Sequence, residues 1–340
     1  MFIIRGRLLS LSIVGVVAGL VPVACSAFSA ETNEPEGGLD AGTAADGAEA
    51  GPTEAGPAEA GAAAPSCVGL AVSCGGNGGQ SCCASTVIIG GTFNRSNEVS
   101  APASVSDFRL DVYEVTVGRF RAFVKAGQGN QARPPAVGEG AHPKIPSSGW
   151  DASYNASLAT STSVLEEGLN CTRGTWTDTP SANETLPINC VTWFEASAFC
   201  AWDGGRLPTE AEWNYAAAGG ALQREYPWGT GIDDSKALVC ADAGTCFDFL
   251  PVGTKSPPGD GRWGQADLAG GVDEWLLDRY AAVYSSPCVD CAQLADAPDR
   301  VIRGGGRASG ASTLRSSSRS RGAPTLRYAN TGVRCARGAE

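Results

Sequence analysis

Thirteen cysteines, a single histidine and an arginine-rich tail are the residues through which this chain of 340 could do chemistry. Cys288 and Cys291 have the C-x-x-C spacing of a redox or metal pair, in which thiolates attack a disulfide or grip a soft ion. The same spacing closes a local disulfide, and in a loop that is the preferred reading. His142, beside Pro143, is the sole histidine, so an iron site of two histidines and a carboxylate cannot be assembled. It reads as a surface or loop-packing residue. No G-x-S-x-G, P-loop or H-E-x-x-H occurs, which removes support for a hydrolase, an NTPase or a zincin. Residues 300–340 hold nine arginines and one acid, Glu340. Arg303, Arg307, Arg315 and Arg319, with Ser309, make a candidate groove for carboxylate-bearing peptides or acidic glycans. The competing reading pairs Arg303, Arg315, Arg319 and Arg334 with Glu210, Glu212 and Glu274.

The other cysteines point to export. Residues 1–25 read as a targeting segment, with Arg5 and Arg7 ahead of the apolar run Leu8 to Val23. Cys25 follows Val23-Ala24 in a lipoprotein-like box, though Pro22 departs from it; cleavage near Ala30 is the alternative. Either way the remainder is expected outside the cytoplasm, held to a membrane by at most a lipid anchor. Residues 26–66 form an acidic Ala/Gly/Pro linker with eight acids and no basic residue, a composition that cannot bury a core. Of the formal charge of −11 it carries −8, so the remainder is only mildly acidic and a nucleic-acid partner is not expected. Cys67, Cys74, Cys82 and Cys83 cluster in a Gly-rich knot, residues 67–86. Two local disulfides would be its main stabilisation, with a metal knuckle as the rival. Cys171, Cys190, Cys200, Cys240, Cys246, Cys288, Cys291 and Cys335 complete an even set of disulfide candidates. Their connectivity does not follow from sequence.

The elements that must position these residues centre on Pro187 to Gly229. Thr192 with Glu195, and Thr209 with Glu212, form two T-x-x-E capping boxes and predict two helices. Gly204-Gly205 and Gly219-Gly220 end them. Four tryptophans between Trp193 and Trp228 supply a core. Upstream, Val87 to Arg95 reads as a strand with a glycine break and Phe108 to Val115 as a strand. Thr116 caps a helix burying Phe120, Phe123 and Val124. Residues 128–186 show no period and predict long irregular loops. Ser235 to Phe249 predicts a hairpin or loop. Downstream, Leu276 to Tyr284 is short and apolar, and Val301 to Gly306 and Thr331 to Ala336 predict strands.

Four ordered segments resemble the formylglycine-generating enzyme, or sulfatase-modifying factor, family: FRLDVYEVTVGRFRAFV from Phe108, GGRLPTEAEWNYAAAGG with YPWG, PVGTKSPPGDGRWGQADLAGGVDEWLLDRY from Pro251, and RVIRGG through to GVRC. The resemblance covers residues 87–338. It implies a C-type-lectin-like α/β (α+β) fold with little regular secondary structure. It also implies a copper-binding cysteine pair shortly after the R-G-G strand, used to oxidise a sulfatase cysteine. Here the corresponding stretch, Ala308 to Ser318, contains no cysteine, and none lies between Cys291 and Cys335. Cys335 matches the family's closing cysteine, which is a structural disulfide partner there. Some relatives are nonheme iron enzymes; the lone histidine denies that route, so neither copper nor iron is expected. The family's calcium motif corresponds to Gly270-Gly271-Val272-Asp273-Glu274-Trp275, implying Ca²⁺ held by Glu274, Asp273 and the carbonyls of Gly270 and Val272. A capped solvent-facing turn is the alternative. The expectation is therefore an exported, non-catalytic module for a peptide or glycan, displayed by loops 128–186 and the segment 303–327. An oxidoreductase with a divergent site at Cys288 and Cys291 is the alternative, and a purely architectural surface protein a third.

Overall fold

A computed structural model describes residues 64–70, 72–237 and 248–339, all within one compact unit. Cys25, the targeting segment, most of the linker, Cys240 and Cys246 lie outside the described residues.

Two small sheets carry the architecture. In the first, β7 (Asp273–Arg279) lies between β10 (Thr331–Gly332), parallel to it, and β8 (Arg300–Arg303), antiparallel; β9 (Ser320–Gly322) adds to the far side of β8. The second sheet has β6 (Phe108–Asp111) between β3 (Ser85–Ile88) and β11 (Ala336–Gly338), all antiparallel. A hairpin of β4 (Gly91–Asn94) and β5 (Pro102–Val105) and a minimal ladder of β1 (Ser73–Cys74) and β2 (Gln80–Ser81) complete the strands.

Four helices pack against them, each begun by a hydroxyl cap. Thr116 accepts from the Arg119 amide at the start of α1 (Val117–Lys125), and Ser161 from that of Val164 at α2 (Thr162–Leu169). The two T-x-x-E motifs form as predicted. At α3 (Trp193–Trp202) Thr192 N–H donates to Glu195 Oε2 at 3.0 Å while Thr192 Oγ1 accepts from Glu195 N–H at 3.2 Å. The same exchange joins Thr209 and Glu212 at α4 (Glu210–Ala217). Gly204 and Gly219 then turn the chain with φ of 76° and 66°, a region that favours glycine. Every residue of α4 is buried, as are eight of ten in α3, so neither helix shows an apolar stripe.

The core divides between α1, α2 and α3 against one face of β7, and β3, β6 and α4 against the other. Three fully buried tryptophans stitch it, each indole N–H finding an acceptor as burial requires. Trp193 donates to the Leu276 carbonyl (2.7 Å), Trp275 to that of Val191 (3.0 Å) and Trp213 to Glu274 Oε2 (2.7 Å).

Several expectations need correction. Residues 128–186 are not all irregular: α2 lies within them, with Leu165 and Leu169 buried four residues apart. The predicted strand Phe108 to Val115 ends at Asp111. Gly271 to Trp275 is no simple turn, because β7 begins at Asp273 and runs to Arg279, short of the Tyr284 expected as the end of that apolar stretch. The predicted closing strand splits, β10 joining one sheet and β11 the other, with buried Val333, Arg334 and Cys335 between.

Candidate functional site

β8 delivers Arg303 to the middle of the molecule, and Gly304 (φ 103°) and Gly305 (φ 71°) then turn the chain into the segment 307–319. A side chain at Gly305 would meet Leu314 Cδ2 at 2.9 Å, so only glycine lets this segment fold back on the strand. Leu314 is buried beside Tyr226, Ala237 and Ala269, while its neighbours in the segment, Arg315 apart, are small or hydroxylated.

The arginines here turn mostly inward. Arg303 is 1% exposed, and every guanidinium nitrogen is used. Nε and Nη2 donate to Glu210 Oε1 (3.0 and 2.8 Å), Nη1 to the Ser316 and Ser318 carbonyls, and Nη2 also to Ser96 and Tyr284. Arg319 joins the same carboxylate (2.6 and 2.9 Å). Burial pushes the Glu210 pKa up, but the two guanidinium groups outweigh it and hold the carboxyl below its usual range. Arg334, fully buried, donates to Glu274 Oε1 at 2.9 Å and to the carbonyls of Asp111, Val112 and Ala266. The paired reading of these three arginines therefore describes the molecule, and Arg303 as a ligand contact is corrected: it has no donor left for a ligand. Arg307 is buried with its guanidinium over the Phe249 ring (4.6 Å). Arg315 is exposed and faces Glu225 at 3.2 Å rather than an acid of the predicted set. Ser309 is half-buried, its N–H donating to the Gly306 carbonyl. The five candidates do not line one groove.

The two carboxylates of the calcium motif are likewise committed. Glu274 accepts from Arg334 and the Trp213 indole, leaving it beside a positive charge. Asp273 Oδ2 accepts from Asn330 at 2.5 Å, and the amides of Gly305 and Gly306 also face this carboxyl. Burial nevertheless pushes its pKa up to about 7. The Gly270 N–H donates back to Gly304 and Gly305, and the Val272 N–H to Glu114 Oε1 (2.7 Å). The Asp273 and Glu274 carboxylates thus meet N–H donors and a guanidinium, so these two side chains leave few free oxygens for a hard cation, which needs several. The buried oxygen left without a partner in this neighbourhood is Glu114 Oε2, which sequence reasoning missed; its carboxyl is driven well above the usual range, first by burial.

Sulfur is committed too. Disulfides join Cys67 to Cys83, Cys74 to Cys82, Cys171 to Cys190, Cys200 to Cys335 and Cys288 to Cys291. The knot thus holds the two local bridges expected of it, and the C-x-x-C is a disulfide. With no cysteine in 308–318 and all ten described cysteines oxidised, the described residues do not fit a copper ion, which takes thiolates. His142 is 5% exposed and places Nε2 3.3 Å from Glu212 Oε1 on α4, so it is a buried packing residue and not a surface one.

A surface groove of about 530 Å³ opens elsewhere, between the β4–β5 hairpin and the loop 286–288. Phe93, Pro102, Ala103, Ala221 and Pro287 form its apolar wall. Its parts come from three distant segments, and no local pattern in the sequence announces it.

Fold and residues together meet the comparisons with known proteins. Residues 75–339 match the family model described as sulfatase-modifying factor enzyme 1-like domain. The chain belongs to that family. It is 32% identical over 255 residues to the formylglycine-generating enzyme of Streptomyces coelicolor, covering 68% of this chain and 79% of that one. It is also 35% identical over 170 residues to the inactive Cα-formylglycine-generating enzyme 2 of Bos taurus, covering 45% and 51%. The structure of PvdO from Pseudomonas aeruginosa superposes with a TM-score of 0.52 at 20% identity, over 75% of this chain and 94% of that one, a likeness of fold alone.

Proposed function

We propose that this is an exported, lipid-anchored member of the family that binds a peptide or glycan and does not perform copper-dependent oxidation. The observation that carries the reading is the donor chemistry of the segment after β8. Where the resemblance calls for two thiols, this chain offers hydroxyls, small residues, Arg315 and a buried Leu314, and the described cysteines elsewhere are oxidised. A relative of 35% identity bearing the name of an inactive enzyme agrees with a scaffold that persists without the reaction.

For the ligand, the inward-turned arginines favour the groove at the β4–β5 hairpin over the arginine-rich tail. Its volume lies in the range of ligand clefts, roughly 300–1,000 Å³. Its apolar wall suits peptide side chains. Cys25 is the proposed lipid attachment, read from the sequence. No described helix is long and apolar enough to cross a membrane.

The decisive assay supplies copper and oxygen to the protein with a cysteine-containing sulfatase peptide. No formylglycine is expected; its oxygen-dependent appearance would sink the reading. Binding is tested on peptide and glycan arrays with the wild type and Ala221→Trp, which fills the groove from an exposed position. The variant should lose the hits by about tenfold or more, because a bulky ring removes the space a ligand would fill. Cys25→Ala should abolish incorporation of a labelled fatty acid and release the protein from membranes.

A further inference from the structure

The disulfide Cys288–Cys291 closes a loop between β7 and β8, and its two sulfurs have different surroundings. Cys288 is 3% exposed and packs in the core with Val301 and Ala103. Cys291 is half-buried and lines a small cavity of about 20 Å³. At that sulfur stands a cation: Arg95 Nη1 is 3.8 Å from Cys291 Sγ. The Arg95 guanidinium is held in place by the Ser285 carbonyl (2.7 Å from Nη2) and the Ala101 carbonyl (3.5 Å from Nε), and lies 4.4 Å from the centre of the Tyr284 ring. It makes no ion pair with a carboxylate among the described residues, so its charge is not cancelled at contact.

Of the other charges around the cavity, all but Asp278 are paired with an opposite charge. Glu210 is matched by Arg303 and Arg319. Asp278 accepts the Glu210 and Gln293 amides, and burial pushes its pKa up to about 7, while Arg279 faces Asp296. Within the loop itself, Asp290 takes Ser106 and Lys144. The net influence closest to Cys291 is the guanidinium, and a neighbouring cation favours a thiolate over a thiol.

We propose that Cys288–Cys291 is a thiol–disulfide exchange site that accepts electrons from a dithiol, with Cys291 as the attacked sulfur and Arg95 stabilising its thiolate. A substrate thiolate attacks Cys291 Sγ, the bond to Cys288 breaks, and Cys288 leaves as a thiolate that takes a proton. The second substrate thiol, losing its proton to solvent, attacks the substrate sulfur of the mixed disulfide, and Cys291 leaves as a thiolate beside Arg95. The substrate dithiol has become a disulfide, and its two electrons reside on Cys288 and Cys291. A small disulfide such as oxidised glutathione reverses both steps and restores the resting state.

The inference is independent of the ligand groove, because dithiothreitol can serve as the dithiol. The full protein is treated with graded dithiothreitol, trapped with iodoacetamide and mapped by mass spectrometry. Cys288 and Cys291 should open first, while Cys200–Cys335, with neither residue exposed, persists. An ordinary exposed staple could also open early, so the deciding readout is the pH profile of Cys291 alkylation in Cys288→Ser. The midpoint of the Cys291 profile should lie about one pH unit below that of N-acetylcysteine, the shift a neighbouring cation brings to a thiol. Arg95→Gln should return the profile towards that of free cysteine, and Arg95→Lys should restore it. A Cys291 profile matching N-acetylcysteine, or a pair that resists reduction longer than the other bridges, would overturn the proposal. Should Arg95→Gln fail to fold, the Cys288→Ser profile decides alone.

Discussion

Glu212 does three jobs with two oxygens. It closes the cap of α4 through the Thr209 amide (2.9 Å), takes both ends of the Arg206 fork (2.7 and 2.5 Å) and receives His142. Burial alone would raise its pKa, yet Arg206 and His142 outweigh that and hold it far below the ordinary 4.5. The folded carboxyl therefore binds a proton less readily than the unfolded one. Its contribution is complete above the unfolded value and is lost as pH falls through the folded one. Urea unfolding from pH 7 down to about pH 2 should show wild-type stability falling below about pH 4.5, and falling less steeply in Glu212→Gln. At pH 7 that variant should lose about 3–5 kcal/mol, because Arg206 is left buried and uncompensated. At this scale the sequence was partly readable. Complementary charge was enough to list Arg303, Arg319 and Arg334 against Glu210 and Glu274. It was not enough to see that Glu212 would take Arg206 and a histidine 70 residues upstream, since that meeting depends on how the 128–149 loops return to α4.

Helix starts were the most readable elements, because a cap is written within four residues. Thr192→Ala and Thr209→Ala should each cost about 1 kcal/mol in denaturant melts, with the midpoint lowered and the slope unchanged. What stayed hidden follows one rule: burial on every side erases the pattern. β7 has six consecutive buried residues, Asp273 to Asp278, so no alternation marks it and its acids imitate a turn. α2 offers only Leu165 and Leu169 to the core, too few for a helical period, although Ser161 stands at its start. The split of the closing strand is set by partners 58 and more than 220 residues away. The committed calcium-motif residues belong to the same class, since Glu274 faces Arg334 only once β7 and the last segment are aligned.

At the scale of the whole molecule, the longest disulfide among the described residues is Cys200–Cys335, joining α3 to the last strands over 135 residues. In the chain-entropy account a loop of that size is worth about 4–5 kcal/mol, so replacing both cysteines by alanine should lower the urea midpoint by the corresponding amount. The fold family was visible in four ordered segments; which cysteines pair was not, because pairing is decided by where strands end. The knot deserves the same view from outside. Ser66 at its base donates its amide to Asp203 (2.9 Å) and accepts Arg119 Nε on its hydroxyl (3.0 Å), within a sealed cluster where Arg119 also holds Asp111 and Asp203. The family match begins at Gly75, nine residues later. A protein trimmed to that border would forfeit Cys67, Cys74 and the small hydroxyl plug, uncorking a charged chamber beneath α1 and stranding two half-bridges. The short stretch before residue 75 is thus a stopper for the interior of the domain, and the folded unit starts upstream of the residues the family model spans.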